Sequence, residues 1–200
     1  FIKNSAVIAA GVAAMPTILN AGCSPNEKIT VGLIGALGQG WTNMEAFLGQ
    51  KNVECAAICD VDQRVIDKRV SDVEKIQGKK PDQYKDFRKL LERKDIDVII
   101  NGTPDHWHCI PTIYACEAGK DVYTEKPLAN SIEETNLMVK AVKRYNSVVQ
   151  VGQWQRSDPH WKAAVDYLHA GNIGRIRSVR AWSYVGWKTS IPVIPDEPAP

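Results

Sequence analysis

The sequence has almost no net charge, because 25 lysines and arginines are matched by 23 aspartates and glutamates, which leaves a formal net charge of +2. No basic field stands out, so nothing favours nucleic acid as a partner. The sequence also lacks an apolar run that would span a membrane comfortably, since residues 6–19 are too few and too weakly hydrophobic. With 44% hydrophobic and 24% charged residues, the composition is typical of a globular protein.

The five cysteines do not have the spacing of a disulfide framework. Cys55 and Cys59 would lie roughly 13 Å apart along one strand, and Cys109 and Cys116 would lie two turns apart on one helix. Both separations exceed the reach of a disulfide, and there is no CxxC pair of the kind that binds structural zinc. We therefore expect buried, reduced thiols that pack as small apolar groups.

The first 26 residues predict an export signal rather than part of the fold. Residues 4–26 contain no Asp, Glu, Lys or Arg, and their apolar part resembles the middle of such a signal. The opening residues resemble the end of a twin-arginine signal, whose arginine pair would lie upstream. Residues 19–23 resemble a lipoprotein cleavage box with Cys23 as the lipid-bearing residue, although Leu19 lies one position too far from it. We expect a periplasmic or lipid-anchored protein; the alternative, a buried N-terminal helix, would have an unusually small polar face.

From residue 28 onward, strand and helix patterns alternate. Runs rich in apolar residues predict strands at residues 29–34, 53–59, 96–100, 121–124 and 148–151. Helices are predicted between them, beginning after a glycine turn, at Asp62, at residue 87, at Asp105 and at the capping box Ser131–Glu134. This alternation predicts an α/β fold, with a Rossmann-type doubly wound parallel sheet over residues 27–151.

After Gly152 the pattern changes. Residues 159–170 predict a helix and residues 174–186 a long alternating strand. We expect residues 152–200 to begin a second α+β domain with an open, mostly antiparallel sheet. Four tryptophans in this region could stack on a sugar or fill an interdomain core; they are Trp154, Trp161, Trp182 and Trp187.

Two features suggest part of a longer protein. The sequence starts with Phe1 rather than Met, and residues 191–200 form a proline-rich stretch. We therefore expect an incomplete protein, from which part of any active site would be missing.

The first candidate site is the glycine turn Gly35-Ala-Leu-Gly-Gln-Gly40. It follows a strand and opens a helix, whose free N–H groups would face a pyrophosphate while the glycines let the phosphates approach. The usual G-x-G-x-x-G spacing would place a glycine at Leu37, and here Gly38 follows one residue later. An ordinary strand–helix turn is the alternative, since a lone glycine motif is weak evidence.

Asp60 ends the second predicted strand, 20 residues after Gly40. A carboxylate at this point can accept hydrogen bonds from the adenosine ribose and would repel a 2′-phosphate, which favours NAD over NADP. Arg64 lies near enough to weaken that preference, so NADP stays open as the alternative. Asp60 could instead cap the next helix, a role that Asp62 can fill.

Residues 101–108 follow the strand at 96–100, at the sheet edge where doubly wound folds bind ligands. His106 and His108 would point in different directions from a helix and make a poor metal pair, so no metal site is predicted. His108 could make one polar contact to a cofactor. A capping turn with a surface histidine is the alternative.

The tripeptide Glu125-Lys126-Pro127 follows a short apolar strand. Pro127 biases Lys126 toward an extended conformation, in which Glu125 and Lys126 point to opposite sides. Beside an oxidised nicotinamide, and partly removed from water, the Lys126 amine would be suited to general acid–base catalysis. A surface lysine in a turn is the alternative.

These segments together resemble the Gfo/Idh/MocA oxidoreductases, relatives of glucose–fructose oxidoreductase and inositol dehydrogenase. The matching stretches are VGLIGALGQG, AAICD, NGTPDHWH, GKDVYTEKPL and VVQVGQWQRSDPHW, within residues 28–187. The resemblance implies that Lys126 is the catalytic lysine and that its bond to Pro127 is cis. It also implies a set of cofactor-binding residues, which comprises Gly35, Leu37, Gly38, Gly40, Asp60, Thr103, His108, Glu125, Trp154 and Arg156.

The resemblance further implies an NAD(P)-dependent oxidoreductase that moves hydride between nicotinamide and a secondary alcohol of a sugar, cyclitol or glycoside. Because export would separate the protein from the cellular NAD pool, we expect the cofactor to stay tightly bound. Two alternatives stay open: a glycosidase that works through a transient NAD-dependent oxidation, and a sugar sensor that binds dinucleotide without turnover. The second catalytic motif of the family would lie beyond residue 200, and a homo-oligomer is expected to form through the missing sheet domain.

Overall fold

The computed structural model describes residues 28–182. Within them, six parallel strands form one sheet with helices on both faces. The strands are β1 (Ile29–Ile34), β2 (Val53–Cys59), β3 (Asp82–Tyr84), β4 (Val98–Asn101), β5 (Asp121–Thr124) and β6 (Val149–Val151). The helices are α1 (Gly38–Leu48), α2 (Gln63–Gln77), α3 (Phe87–Leu91), α4 (Cys109–Glu117), α5 (Ile132–Tyr145) and α6 (Pro159–His169), with one-turn 3-10 helices at Asp105–Trp107 and Trp154–Ser157. The predicted export segment 1–26 with Cys23, and the predictions for residues 183–200 with Trp187, lie outside the described residues.

The strand order is β3-β2-β1-β4-β5-β6, which is the order of a doubly wound Rossmann sheet. The chain first builds outward from β1 to β3, then returns to the other side of β1 and builds outward to β6. The order reverses between β1 and β4, and such a reversal opens a crevice at the carboxyl ends of the strands. The predicted parallel α/β fold is confirmed.

Two apolar layers hold the helices to the sheet. On one face, Ile58 and Ile100 of the sheet pack with Met44 of α1 and with Ile66 and Val70 of α2. On the other face, the buried side chains come from β1, β2, β4, β5, α3, α4 and α5 and include Ile99, Leu90, Ala115, Val122 and Ala141. Burial of each large aliphatic side chain contributes about 1.5–3 kcal/mol. Both layers therefore hold the helices in fixed positions against the sheet.

The local signals in the sequence act as predicted. Asp62 caps α2 by accepting a hydrogen bond from the backbone N–H of Arg64. Ser131 and Glu134 form a complete capping box at the start of α5. The four described cysteines, Cys55, Cys59, Cys109 and Cys116, are buried free thiols.

Three local predictions differ from the structure. β3 was not predicted, because its three residues form neither an apolar run nor an alternating pattern; it pairs with β2 at the edge of the sheet. Asp105 was predicted to cap α4, but it begins a one-turn 3-10 helix, and α4 starts four residues later without a side-chain cap. The strand predicted over residues 174–186 is not formed in its described part, residues 174–182, where no strand pairs with it.

α6 lies outside both apolar layers. All its residues are exposed, and they include Trp161, Val165, Tyr167 and Leu168. Among residues 28–182, no helix has the length and apolar character needed to cross a bilayer.

Candidate functional site

The site is built along one edge of the sheet, where β2, β1, β4, β5 and β6 end at the same level, with the end of β3 beside that of β2. The registers align Ile34 with Cys59 and with Asn101, and continue from Asn101 through Thr124 to Val151. The residue after each of these five ends therefore falls in one row. The row consists of Asp60, Gly35, Gly102, Glu125 and Gly152, in the spatial order of the strands.

Three glycines make close backbone contacts at the centre of this row. A Cβ atom on Gly40 would overlap the carbonyl oxygen of Gly35, and one on Gly102 would overlap the Cα of Gly40. Gly35 has a φ of +80°, and a Cβ there would lie 2.6 Å from the backbone nitrogen of Thr103. Only glycine permits this packing, and it brings the start of α1 against the loop after β4. Gly102 was not among the predicted site residues, although its position directly after a strand is a usable signal.

The N-terminus of α1 opens onto this edge without a side-chain cap. Its N-cap residue is Leu37, an apolar residue with a φ of −98°, and the first turn contains no acidic residue. Gly38, one residue later, has the positive φ of +52°. The residue of this turn with a left-handed backbone is therefore Gly38. Position 37 has an ordinary negative φ, so a leucine can take the place of the usual glycine there. The free N–H groups of the first turn are available to an anion such as a pyrophosphate.

Asp60 lies beside the glycine turn. Its Oδ2 accepts a hydrogen bond from the backbone N–H of Ala36 at 2.8 Å, and its Oδ1 accepts one from Asp62 at 3.1 Å. Each carboxylate oxygen can accept further hydrogen bonds, so ribose hydroxyls could still bind. Arg64 forms a close ion pair with Asp62, with Nη2 to Oδ2 at 2.8 Å.

Arg69 of α2 supports the turn from behind, which the sequence did not predict. Its Nε donates to the carbonyl of Ala36 at 3.1 Å, and its guanidinium lies 4.4 Å from the ring centre of Trp41. Asp72 forms an ion pair with the same guanidinium at 3.0 Å. The helix after β2 is thus fastened to the glycine turn after β1.

A cleft of about 780 Å³ runs along this edge, a volume typical of small-molecule sites. Most of the predicted cofactor residues line it together with Lys126; they are Gly35, Leu37, Gly38, Asp60, Thr103, His108 and Glu125. Gly40 is buried beneath the turn. Among the unpredicted lining residues are Gln39, Lys85, Phe87 and Trp107.

His108 is 1% exposed, which excludes the alternative of a surface histidine. Its Nδ1 lies 2.6 Å from the carbonyl oxygen of Pro127, and its Nε2 lies 2.7 Å from that of Thr103. Both ring nitrogens thus contact the protein backbone. The ring joins the loop after β4 to the Lys126–Pro127 segment.

Glu125 is buried and Lys126 is exposed, so the two neighbours point to different environments. The Lys126–Pro127 peptide bond is cis, as the resemblance implied. Trp154 and Arg156 lie on the one-turn helix after β6, where both are exposed and neither lines the cleft.

The residues of this edge fit a dinucleotide. Three features occur together here. The glycine turn leaves a space that a Cβ atom would fill, the N-terminus of α1 has no side-chain cap, and the Asp60 carboxylate lies at the end of the neighbouring strand. Backbone donors suit the pyrophosphate, and the carboxylate suits the ribose. Lys126 lines the same cleft and offers a proton-transfer group to a ligand bound there.

Residues 29–153 match the model of an oxidoreductase family with an NAD-binding Rossmann fold. An alpha-N-acetylgalactosaminidase of Shewanella oneidensis is 32% identical over 166 residues, which cover 72% of this chain and 36% of that protein. A glycosyl hydrolase family 109 protein of Shewanella sp. strain W3-18-1 is 38% identical over 122 residues, which cover 59% and 27%. The chain spans about a third of the length of the curated relatives it matches.

Solved structures share the fold. The myo-inositol 2-dehydrogenase of Lactobacillus plantarum aligns with a TM-score of 0.68 at 25% identity, covering 75% of this chain and 43% of that one. The WlbA dehydrogenase of Chromobacterium violaceum, in complex with NADH and UDP-GlcNAcA, aligns with a TM-score of 0.67 at 25% identity, covering 76% and 43%.

Proposed function

Because this chain belongs to the Gfo/Idh/MocA family of oxidoreductases and carries its NAD-binding Rossmann fold, we propose that it serves an NAD-dependent reaction at a secondary alcohol of a sugar, cyclitol or glycoside. One observation carries the proposal. Lys126 lines the same cleft as the uncapped start of α1 and the glycine turn. A dinucleotide held by that turn would therefore share the cleft with a proton-transfer group.

In this proposal Lys126 is the acid–base residue. Bound NAD supplies a hydride acceptor at its nicotinamide ring. The Lys126 amine accepts the proton of the substrate hydroxyl, and in the reverse direction the ammonium returns it. His108 holds the carbonyl of the adjacent Pro127, so the segment that carries the lysine is fixed to the loop after β4.

The same geometry supports NAD over NADP. Asp60 would place a negative charge against a 2′-phosphate. Arg64, which could offset that charge, is paired with Asp62 on the surface, with Nε on Oδ1 and Nη2 on Oδ2. Arg64 does not line the cleft, so the preference for NAD over NADP rests on Asp60.

The relatives favour a second candidate, a glycosidase that oxidises its sugar transiently. Relatives at 32–38% identity are named glycosyl hydrolase family 109 proteins or alpha-N-acetylgalactosaminidase. Oxidation at one sugar carbon acidifies the neighbouring C–H, which permits elimination of the glycosidic oxygen, hydration and reduction. Such a cycle consumes no net NAD, so it suits a tightly bound cofactor.

We further propose that the protein is exported and carries a lipid anchor at Cys23. We also propose that residues 152–200 belong to a second domain and that the protein forms a homo-oligomer. An apolar exposed surface on α6 supports the second domain, since such patches are typical of contact surfaces.

Fractionation of cells that express the full-length gene, with and without a twin-arginine pathway, tests the export route. A protein that stays in the cytoplasm in both strains would contradict it.

The decisive variant is Lys126→Met in the full-length protein, because Met keeps the length of the side chain without an amine. We expect turnover to fall by about 10²–10⁴-fold, while the mass of the native protein still shows bound NAD. Lys140→Met, on the exposed face of α5, is the matched control and should keep full turnover. Unchanged turnover in Lys126→Met would contradict the proposed role.

The products separate the candidate functions. Reduction of NAD in the presence of inositols or nucleotide sugars indicates a dehydrogenase. Release of nitrophenol from a nitrophenyl α-N-acetylgalactosaminide without net NADH indicates the glycosidase. If the protein binds NAD but turns over none of these substrates, the result would favour the sensor and contradict both enzymatic proposals.

A further inference from the structure

Glu125 is a buried carboxylate held on three sides, directly before Lys126. It is 4% exposed. Its Oε1 accepts a hydrogen bond from Nδ2 of Asn43 at 2.8 Å, and its Oε2 accepts one from the backbone N–H of Lys126 at 3.0 Å. Gly152 lies so close to Oε1 that a Cβ there would overlap it. The carboxylate therefore has one place and one orientation.

The hydrogen bonds continue from Asn43 to the cleft. Nε2 of Gln39 donates to Oδ1 of Asn43 at 3.2 Å, and Gln39 lines the cleft in the first turn of α1. The direction of donation is the same at each step, from Gln39 to Asn43 and from Asn43 to Glu125. A chain of three side chains thus joins α1, whose uncapped start would face a pyrophosphate, to the backbone of the candidate catalytic lysine.

We propose that Asn43 is a positioning residue, which fixes the backbone of Lys126 through Glu125 and ties it to α1. The inference rests on the proposed function, because it gives Lys126 the acid–base role. A hydrogen bond to a carboxylate is stronger than a neutral one, and a buried carboxylate oxygen that loses its donor is costly. Without Asn43, Glu125 would turn toward another donor and the Lys126 backbone would lose its fixed acceptor.

The proposal can be tested by exchanging the donor and the acceptor of the Asn43–Glu125 hydrogen bond, because the substitutions hardly change the shapes of the side chains. Asn43→Asp removes the amide that donates to Glu125 and places a second carboxylate at hydrogen-bond distance, where the two groups repel each other. In the double variant Asn43→Asp/Glu125→Gln, the amide introduced at position 125 can donate to the carboxylate introduced at position 43. Its carbonyl oxygen can still accept from the Lys126 N–H. The double variant and the wild type each have one carboxyl and one amide side chain at these two positions.

Two readouts are needed, both on the full-length protein at pH 8. We expect Asn43→Asp to lower turnover by about 10- to 100-fold, because small displacements of a catalytic group have effects of this size. Hydrogen exchange at the Lys126 backbone amide should accelerate at the same time. The double variant should recover most of both losses.

Asn136→Asp, the same substitution at an exposed position of α5, is the control for charge and folding and should match the wild type. The proposal is overturned if Asn43→Asp leaves either turnover or amide exchange unchanged. It is also overturned if the losses measured for Asn43→Asp alone and for Glu125→Gln alone simply add in the double variant. Failure of the proposed function would appear separately, as full turnover in Lys126→Met.

Discussion

At the scale of single residues, the candidate site depends on backbone atoms that approach more closely than side chains would allow. Gly35 and Gly40 come from the glycine turn and Gly102 from the loop after β4, and each would overlap a neighbour's backbone if it carried a Cβ. The overlaps involve backbone atoms rather than flexible side-chain ends, so rotamer changes would not relieve them. These glycines therefore set both the distance of α1 from the sheet and the room for a pyrophosphate.

Gly40→Ala tests this requirement. The added methyl group would press on the carbonyl of Gly35, and we expect a loss of about 1–3 kcal/mol in the free energy of unfolding, as for other overpacked sites. NAD binding should weaken as well, because α1 must shift away from the turn. Urea denaturation and calorimetric titration with NAD measure the two effects.

Gly49→Ala provides the control, because it makes the same substitution at the other end of α1. Gly49 is exposed with a φ of −73°, and a Cβ there would have its closest contact at 3.4 Å. This variant should be as stable as the wild type or up to about 1 kcal/mol more stable. Equal losses in the two variants would show that the close packing at Gly40 does not matter.

The sequence predicts some of these residues and not others, for a physical reason. Gly35, Asp60 and Lys126 follow recognisable strands, and the carboxyl ends of parallel strands share one edge, so their neighbourhood could be predicted. Asn43 lies in the middle of a helix and acquires its role from Glu125, which is 82 residues away. A contact of that kind is determined by the packing of α1 against the sheet, so no local sequence pattern predicts it.

At the scale of elements, α5 depends on its capping box. The Ser131 hydroxyl accepts from the backbone N–H of Glu134 at 3.2 Å, and the Glu134 carboxylate accepts from the backbone N–H of Ser131 at 3.1 Å. Ser131→Ala should lower the free energy of unfolding by about 0.5–2 kcal/mol, measured by urea denaturation. Ser131→Asp, which keeps an acceptor at the cap, should retain most of the stability. If the alanine and aspartate variants unfold at the same urea concentration, the cap contributes nothing.

Elements could be predicted where one signal extended over many residues. α2 and α5 have caps and one-sided apolar patterns, so the points where they begin were predicted. β1 and β2 are rich in apolar residues, and their bounds were predicted. β3 has only three residues and is ordered by its pairing with β2. The 3-10 turn before α4 likewise follows from the loop that carries His108, whose ring contacts two backbone carbonyls.

At the scale of the whole molecule, burial of thiols and of a lysine makes stability depend on pH. Burial raises the pKa of Cys55 to about 12 and that of Cys59 to about 12, from 9.0. Burial lowers the pKa of Lys120, whose Nζ donates to the carbonyls of Arg93 and Ile96 at 2.6 and 3.0 Å. The thiols and the lysine have opposite effects, because a raised thiol pKa favours the folded state below pH 9, whereas a lowered lysine pKa favours it at high pH.

For the thiols, the unfolded chain loses protons above pH 9 while the folded protein keeps them until pH approaches 12. Stability contributed by each thiol is therefore complete below pH 9 and declines as pH rises, by at most about 1.4 kcal/mol per pH unit. Urea denaturation in reducing buffer between pH 8 and pH 10.5 measures the slope. Cys55→Ala should make the decline shallower by up to that amount, because one titrating thiol is gone. Parallel curves for this variant and the wild type would show that Cys55 ionises as easily in the folded protein as in the unfolded chain.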